Sequence, residues 1–446
     1  MNLTYHRKDL RSQFNSRPLK STSLFYGLMA AFFIGALPVQ QTFSQTFQQV
    51  QPEEAGFSAD RLMRLTTTLN DYADQERLSG GVTLVLKNEK AVYFDAFGKR
   101  DVEAGFPMQK DDIFRIASQT KAIVSVAIMM LQEKGELLLS DPVGKYLPEF
   151  KETTVAKENG DGDYDIVDAE RPINIRDLLT HTSGIGYGHG IASDKWEEAG
   201  IQGWYFADRD EPIRETVSRI ADLPFDSQPG QSWVYGYSTD ILGVIVEEIS
   251  GKTLEEFLGL QIFGPLGMND THFYLPQSKL DRLAVVYSAT DQSSIERAPD
   301  LTGAIGQGHY VQGPRKSFSA GAGLLSTAND YARFLQMLLN GGELDGERIL
   351  SPGSVELMSV NHIRDIPFRD GSGMGLGFSV VEDLGARGVP GSVGEYGWGG
   401  AYHSTYWVDP AKDLVVVFFT QLIPATGSDI HGKLRTLIYQ AIENTE

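Results

Sequence analysis

Between Phe114 and Gly135 the chain reads FRIASQTKAIVSVAIMMLQEKG, and from Ala122 to Leu131 it is apolar except for Ser125. A helix that is apolar all round has no face to give to water and must be enclosed by other elements. The stretch therefore demands a fold with layers on more than one side, and 446 residues supply the core for it. Gly135 stands where a helix C-terminus is expected. Ser118 and Lys121 sit three residues apart at the start of this run. A lysine is rarely buried unless a partner or a reaction compensates.

The flanking pattern organises the chain around that helix. FSADRLMRLTTTLNDYADQ has helical periodicity with Ser58 as its cap, and GGVTLVLKNEKAVYFDAFG reads as a hairpin turning at Asn88–Lys90. The middle, about 137 to 319, is rich in loops but holds one strong helix, STDILGVIVEEISG, with Ser238 as the expected cap. STANDYARFLQMLLNGG follows as an amphipathic helix, capped by Ser326 or Thr327 and ended by Gly341. LGFSVVED, AYHSTYWVDP and LVVVFFTQ have strand character, and a last helix is expected over about 428–444. Strands at both chain ends with a helical middle imply one α+β domain. It would have an antiparallel sheet, built from about 45–115 and 320–446, and an inserted mainly helical lobe over about 116–319, with the site between lobes.

Composition removes several classes of function. Hydrophobic residues at 41% and charged residues at 22% are ordinary for a globular protein. The absence of cysteine excludes disulfides, thiol catalysis and thiolate metal sites. Eight scattered histidines without an H-E-x-x-H leave no zinc pattern, so neither metal nor cofactor is expected. DGDYDIVD, Asp161 to Asp168, lacks the glycine and glutamate of a calcium loop and reads as a solvated acidic loop. Residues 1–44 combine Arg7, Lys8, Arg11, Arg17 and Lys20 with the apolar run Ser23 to Val39. That is the pattern of a signal peptide and implies a periplasmic or secreted protein; an uncleaved anchor is the alternative. Without this segment Lys and Arg fall from 39 to 34 and Asp and Glu from 59 to 58, a net charge of −24. Such a surface repels nucleic acid and anionic lipid, so neither is an expected partner.

Serine and lysine at i and i+3 project from one helix face. A lysine withdrawn from water becomes less basic, and can take a proton from a serine or hold a phenolate. The phenol is available at Tyr235, in PGQSWVYGYSTDILG. YGWGGAYHSTYWVDP then brings Trp398-Gly399-Gly400 to the beginning of a late strand. Ser118-Gln119-Thr120-Lys121, Tyr235-Gly236-Tyr237 and Trp398-Gly399-Gly400, in that order, resemble the three signatures of the class C β-lactamase superfamily, and within it the family VIII carboxylesterases. DLLTHTSGIGY, GAGLLSTANDYARFLQMLLNGGELDG and WVDPAKDLVVVFFTQ extend the likeness from about Pro52 to the C-terminus.

The resemblance implies a β-lactamase/transpeptidase-like fold and an acyl-enzyme on Ser118, with Lys121 and Tyr235 as its acid/base partners. It implies an oxyanion hole from the backbone N–H groups of Ser118 and Ala401, and substrate contacts from Tyr237, Trp398, Gly399 and Gly400. His403 is either a further substrate contact or an ordinary strand side chain. Trp398 stands where the β-lactamases have a carboxylate-gripping lysine, and Tyr237 where they have an asparagine. Both departures favour neutral small-molecule esters over β-lactams and peptides. A β-lactamase, a D-amino-acid peptidase, an acyltransferase and a non-enzymatic binding protein remain the alternatives. His181 reads as a loop organiser rather than a triad histidine, and the lack of any G-x-S-x-G argues against a nucleophile elbow. Trp233, Trp407, Phe418 and Phe419 read as core or pocket wall.

Overall fold

The computed structural model describes residues 46–160, 163–290, 294–300 and 303–443. The expected signal segment lies outside them. The described residues form one compact unit.

Its centre is an eight-stranded antiparallel sheet. The N-terminal part contributes β1 (Gly80–Lys87), β2 (Lys90–Asp101) and β3 (Phe106–Pro107). The C-terminal part contributes β4 (Ser372–Met374), β5 (Ser379–Val381), β6 (Tyr396–Gly399), β7 (Thr405–Asp409) and β8 (Leu414–Thr420). The order β4-β5-β6-β7-β8-β1-β2-β3 pairs the two chain ends at the centre, where Val85 faces Val416. Among the described residues, nothing between 108 and 371 joins this sheet.

Period-two alternation divides β8 between two cores. Val416 and Phe418 pack on the side covered by the helices Ala59–Asp74 and Ile430–Tyr439. Val415, Val417 and Phe419 face the other side, where the Thr120–Glu133 and Ala328–Leu339 helices lie. Every residue from Thr120 to Leu131 is buried, as its composition requires. Gly135, at φ +73°, turns the chain out of this helix through the left-handed region.

Several expectations need revision. The residue before the Ser238–Ser250 helix is Tyr237, so Ser238 is not its cap; the Ser238 hydroxyl instead bonds the Ser183 hydroxyl at 2.8 Å. Thr327, not Ser326, caps Ala328–Leu339 by accepting from the Asp330 N–H. Tyr164–Asp168, read as loop, is the second strand of a hairpin with Thr154–Glu158. Its acidic residues obscure the alternation that a strand would show. Trp398 and Gly399 belong to β6 itself rather than to the start of β7, because two glycines in a four-residue strand hide its signal.

Candidate active site

Ser118 is seated by backbone before any side chain is considered. Phe114–Arg115 pairs with Leu325–Ser326, and the Ile116 N–H donates to the Leu324 carbonyl at 3.0 Å. Ala117 then takes φ +43°, a strained value for a residue with a Cβ, and a single 3-10 turn over Ala117–Gln119 leads into the helix at Thr120. The buried Gln119 side chain donates to Ser404 Oγ at 3.0 Å, and the Tyr331 hydroxyl donates to the Gln119 carbonyl at 2.8 Å. Ser118 therefore leaves the core in one fixed direction. It is half-buried and lines a cavity of about 440 Å³.

Lys121 Nζ lies 3.4 Å from Ser118 Oγ, 2.7 Å from the Gly321 carbonyl and 3.2 Å from the Tyr187 hydroxyl. It also lies 4.6 Å from the centre of the Tyr235 ring. The sequence shows no carboxylate near this lysine, but the fold brings Asp240, from the first turn of the Ser238–Ser250 helix, into its field. Gly321 stands between them, its N–H donating to Asp240 Oδ1 at 3.0 Å. Burial raises the Asp240 pKa; the charge of Lys121 and hydrogen bonds from Gly321 and Ser319 oppose that rise.

Tyr235 is held in a cage of rings. It stacks on Trp233 at 5.6 Å and meets His181 at 4.8 Å and Tyr187 at 5.6 Å. The Trp398 indole N–H donates to its hydroxyl at 3.2 Å. His181 packs in this cage as a structural residue; burial, reinforced by the Lys121 charge, holds its pKa well below the usual value. Gly236 is required here, since a Cβ would come within 3.0 Å of the backbone of Ile185 and Gly186, on the segment that carries Tyr187.

The β6–β7 hairpin closes the cavity opposite the serine. A Cβ on Gly400 would sit 2.5 Å from the Ile116 carbonyl and 2.6 Å from Ser404 Oγ, so only glycine lets the hairpin lie this close to the Ser118 turn. Trp398, Gly399, Gly400 and Ala401 all line the cavity. Ala401 N–H has no protein acceptor among the described residues.

Two expected substrate contacts are corrected. Tyr237 is fully buried, stacked on Trp196, and its hydroxyl donates to the Gly203 carbonyl at 2.5 Å. The chain turns into the Ser238–Ser250 helix at Tyr237, and this turn sends the ring into the core, away from the cavity. His403 bonds Ser428 at 2.8 Å and stacks on His431 at 4.1 Å, outside the cavity lining; at φ +62° in the β6–β7 turn it is neither a substrate contact nor a strand side chain. Three residues escaped sequence reasoning: Tyr187, Asp240 and Arg369. Tyr187 ends DLLTHTSGIGY, and only its contact with Lys121 marks it; the other two lie in ordinary helix and loop contexts.

A clamped serine, a lysine touching its hydroxyl and a phenol beside that lysine, between an antiparallel sheet and a helical insertion, define a serine hydrolase of the β-lactamase fold. The chain belongs to the Beta-lactamase family, whose model matches residues 65–439. It is 36% identical over 380 residues to Protein Rv1367c of Mycobacterium tuberculosis, covering 81% of this chain and 90% of that one. It is 31% identical over 379 residues to Esterase EstB of Burkholderia gladioli, covering 81% and 91%. The solved structure of EstCE1, described as a hydrolase with promiscuous acyltransferase activity, superposes with TM-score 0.72 at 26% identity, over 86% of this chain and 99% of that one.

Proposed function

We propose that this protein is a carboxylesterase that cleaves small carboxylic esters through an acyl-enzyme on Ser118. The observation that carries the reading is Lys121 Nζ, 3.4 Å from Ser118 Oγ and 4.6 Å from the Tyr235 ring. Two tyrosines meet this lysine, and they are not equivalent. Burial and the neighbouring Tyr235 raise the Tyr187 pKa well above its ordinary value, so Tyr187 keeps its proton. The base role falls to Tyr235, whose ring stands 4.6 Å from Lys121 Nζ and whose hydroxyl accepts from the Trp398 indole N–H at the cavity wall.

Ser118 Oγ attacks the ester carbonyl while its proton passes to Tyr235. The oxyanion develops toward the N–H groups of Ser118 and Ala401. Tyr235 then returns the proton to the departing alkoxide, and an alcohol leaves. Water repeats the sequence on the acyl-enzyme, giving the acid and free Ser118. Losing one oxyanion donor in such a site costs about 3–4 kcal/mol, so the β6–β7 hairpin matters as much as the side chains.

An ester is favoured over an amide because the two recognition positions of the β-lactamase signatures are changed here: Trp398 fills the lysine place and Tyr237 is withdrawn into the core. The likeness to EstB supports the same choice. The EstCE1 description keeps acyl transfer to a second alcohol as an alternative fate of the same intermediate. We further propose a periplasmic or secreted location, on the pattern of residues 1–44.

The test is a paired rate measurement on a short-chain aryl ester and a cephalosporin, with a fluorophosphonate probe to identify the acylated residue. The ester should turn over faster, with the label on Ser118, and Ser118→Ala should reduce turnover by at least about 10⁴-fold. Faster cephalosporin turnover would make the protein a β-lactamase; no label on folded protein would end the hydrolase reading.

A further inference from the structure

The cavity contains a cation that the reaction does not use. Arg369 lies in the segment between the Pro352–Met358 helix and β4, and its side chain lines the same cavity as Ser118 and Tyr235. Its guanidinium lies 4.5 Å from the centre of the Trp398 ring and 5.1 Å from that of Phe368. Phe368 and Trp398 are themselves parallel, 9° apart at 6.3 Å. A cation held over ring faces is attracted by them without using any of its N–H donors.

No carboxylate among the described residues forms an ion pair with those donors. The contrast with the other arginines of the cavity wall is direct. Arg387 and Arg435 share Glu395, each at 2.8 Å, and are neutralised in part. Arg369, exposed at the cavity wall over the Phe368 and Trp398 rings, has no carboxylate partner among the described residues, in a protein of net charge −20. A cation kept free in a concave site, against the sign of the whole molecule, is a recognition element for an anion.

We propose that Arg369 selects esters that carry a carboxylate besides the bond being cleaved, either monoesters of dicarboxylic acids or esters of carboxylated alcohols. This rests on the esterase reading above and revises the expectation of neutral esters. That expectation considered only the place of Trp398; the structure restores a cation from another loop, resting on the face of the same tryptophan. Arg369 positions the substrate and takes no part in proton transfer.

The experiment uses two matched pairs of probes. Benzyl hydrogen glutarate against benzyl pentanoate places the carboxylate on the acyl half; 3-(butanoyloxy)benzoate against phenyl butanoate places it on the alcohol half. Calorimetric titration of Ser118→Ala protein gives affinity without turnover, and kcat/KM is measured on the native enzyme with the same four compounds. One anionic member should bind about tenfold more tightly than its neutral partner, as expected for a charge-assisted contact, and the pair that shows it identifies the half. Arg369→Gln, combined with Ser118→Ala for binding, should abolish the preference, whereas Arg369→Lys should retain most of it. A purely structural stack predicts instead that both members of each pair weaken together. Equal affinities in both pairs, or a preference that survives Arg369→Gln, would overturn the proposal while ester hydrolysis stands. A preference present in titration with no hydrolysis of any probe would support it and remove the esterase reading instead.

Discussion

The two sides of the catalytic cavity are built on different principles. The side that carries Ser118 and Lys121 is set by backbone: strand pairing at Phe114–Arg115, a forced φ at Ala117, and hydrogen bonds from Tyr331 to the Gln119 carbonyl and from Lys121 to the Gly321 carbonyl. The facing wall is set by side chains: the rings of Tyr187, Trp233, Tyr235, Phe368 and Trp398, each held by its neighbours. Backbone hydrogen bonds fix a nucleophile within a few tenths of an ångström and tolerate little sequence change. Stacked rings on loops hold position less strictly and can be exchanged for others. The nucleophile is thus anchored where the chain is least free to vary, whereas the proton carrier Tyr235 and the substrate contacts stand on the ring-built wall.

The tyrosine pair gives the largest expected effect and the most direct attack on this contrast. Tyr235→Phe should lower kcat by about 10³-fold and Tyr187→Phe by only about tenfold, because one phenol carries the proton and the other holds Lys121 in place. Steady-state kinetics on a short-chain ester checks this, and equal losses would mean that the assignment of the base is wrong.

Next comes Gly400, which belongs to the hairpin yet touches the serine turn. Gly400→Ala should reduce kcat about 10²-fold with KM changed far less, since the added Cβ pushes the Ala401 N–H away from Ser118. Retention of full activity would show that the hairpin does not supply the oxyanion donor.

The smallest effect is on stability and sharpens the comparison by leaving the cavity alone. Burial, then the adjacent His431, lowers the His403 pKa to about 3, and burial lowers His431 as well. Below about pH 6.5 the unfolded chain binds protons that the folded His403 refuses, so stability is complete above that value and is lost progressively as pH falls toward about 3. One such histidine accounts for about 2 kcal/mol at pH 5. His403→Asn, which also tolerates the φ of +62° found there, should flatten the dependence of Tm on pH between 7 and 5. An unchanged slope would mean that other buried histidines dominate it.

The sequence made the reactive half of the site legible and most of the recognition half illegible. Ser118, Lys121 and the helix behind them are contiguous, so their spacing and burial pattern express their geometry directly. Tyr235 and the Trp398-Gly399-Gly400 segment could be found because they recur in an ordered set of signatures. Tyr237 and His403 were placed at the substrate by adjacency to those signatures, and the structure turns both away because the chain bends at each: Tyr237 immediately precedes a helix, and His403 lies in the β6–β7 turn at φ +62°. Tyr187 and Arg369 left no local signal at all.

What the chain determined by itself was whatever depends on near neighbours: an all-apolar helix that must be enclosed, a hairpin at Asn88–Lys90, glycines where the backbone leaves a helix. The tertiary structure alone decided which distant groups share one small volume. Lys121 meets Gly321, Asp240 and two tyrosines, and Arg369 rests on Trp398, because the sheet joins the two ends of the chain and the inserted segment folds back over it. Contacts of this kind follow from topology and packing, which no local pattern of residues encodes.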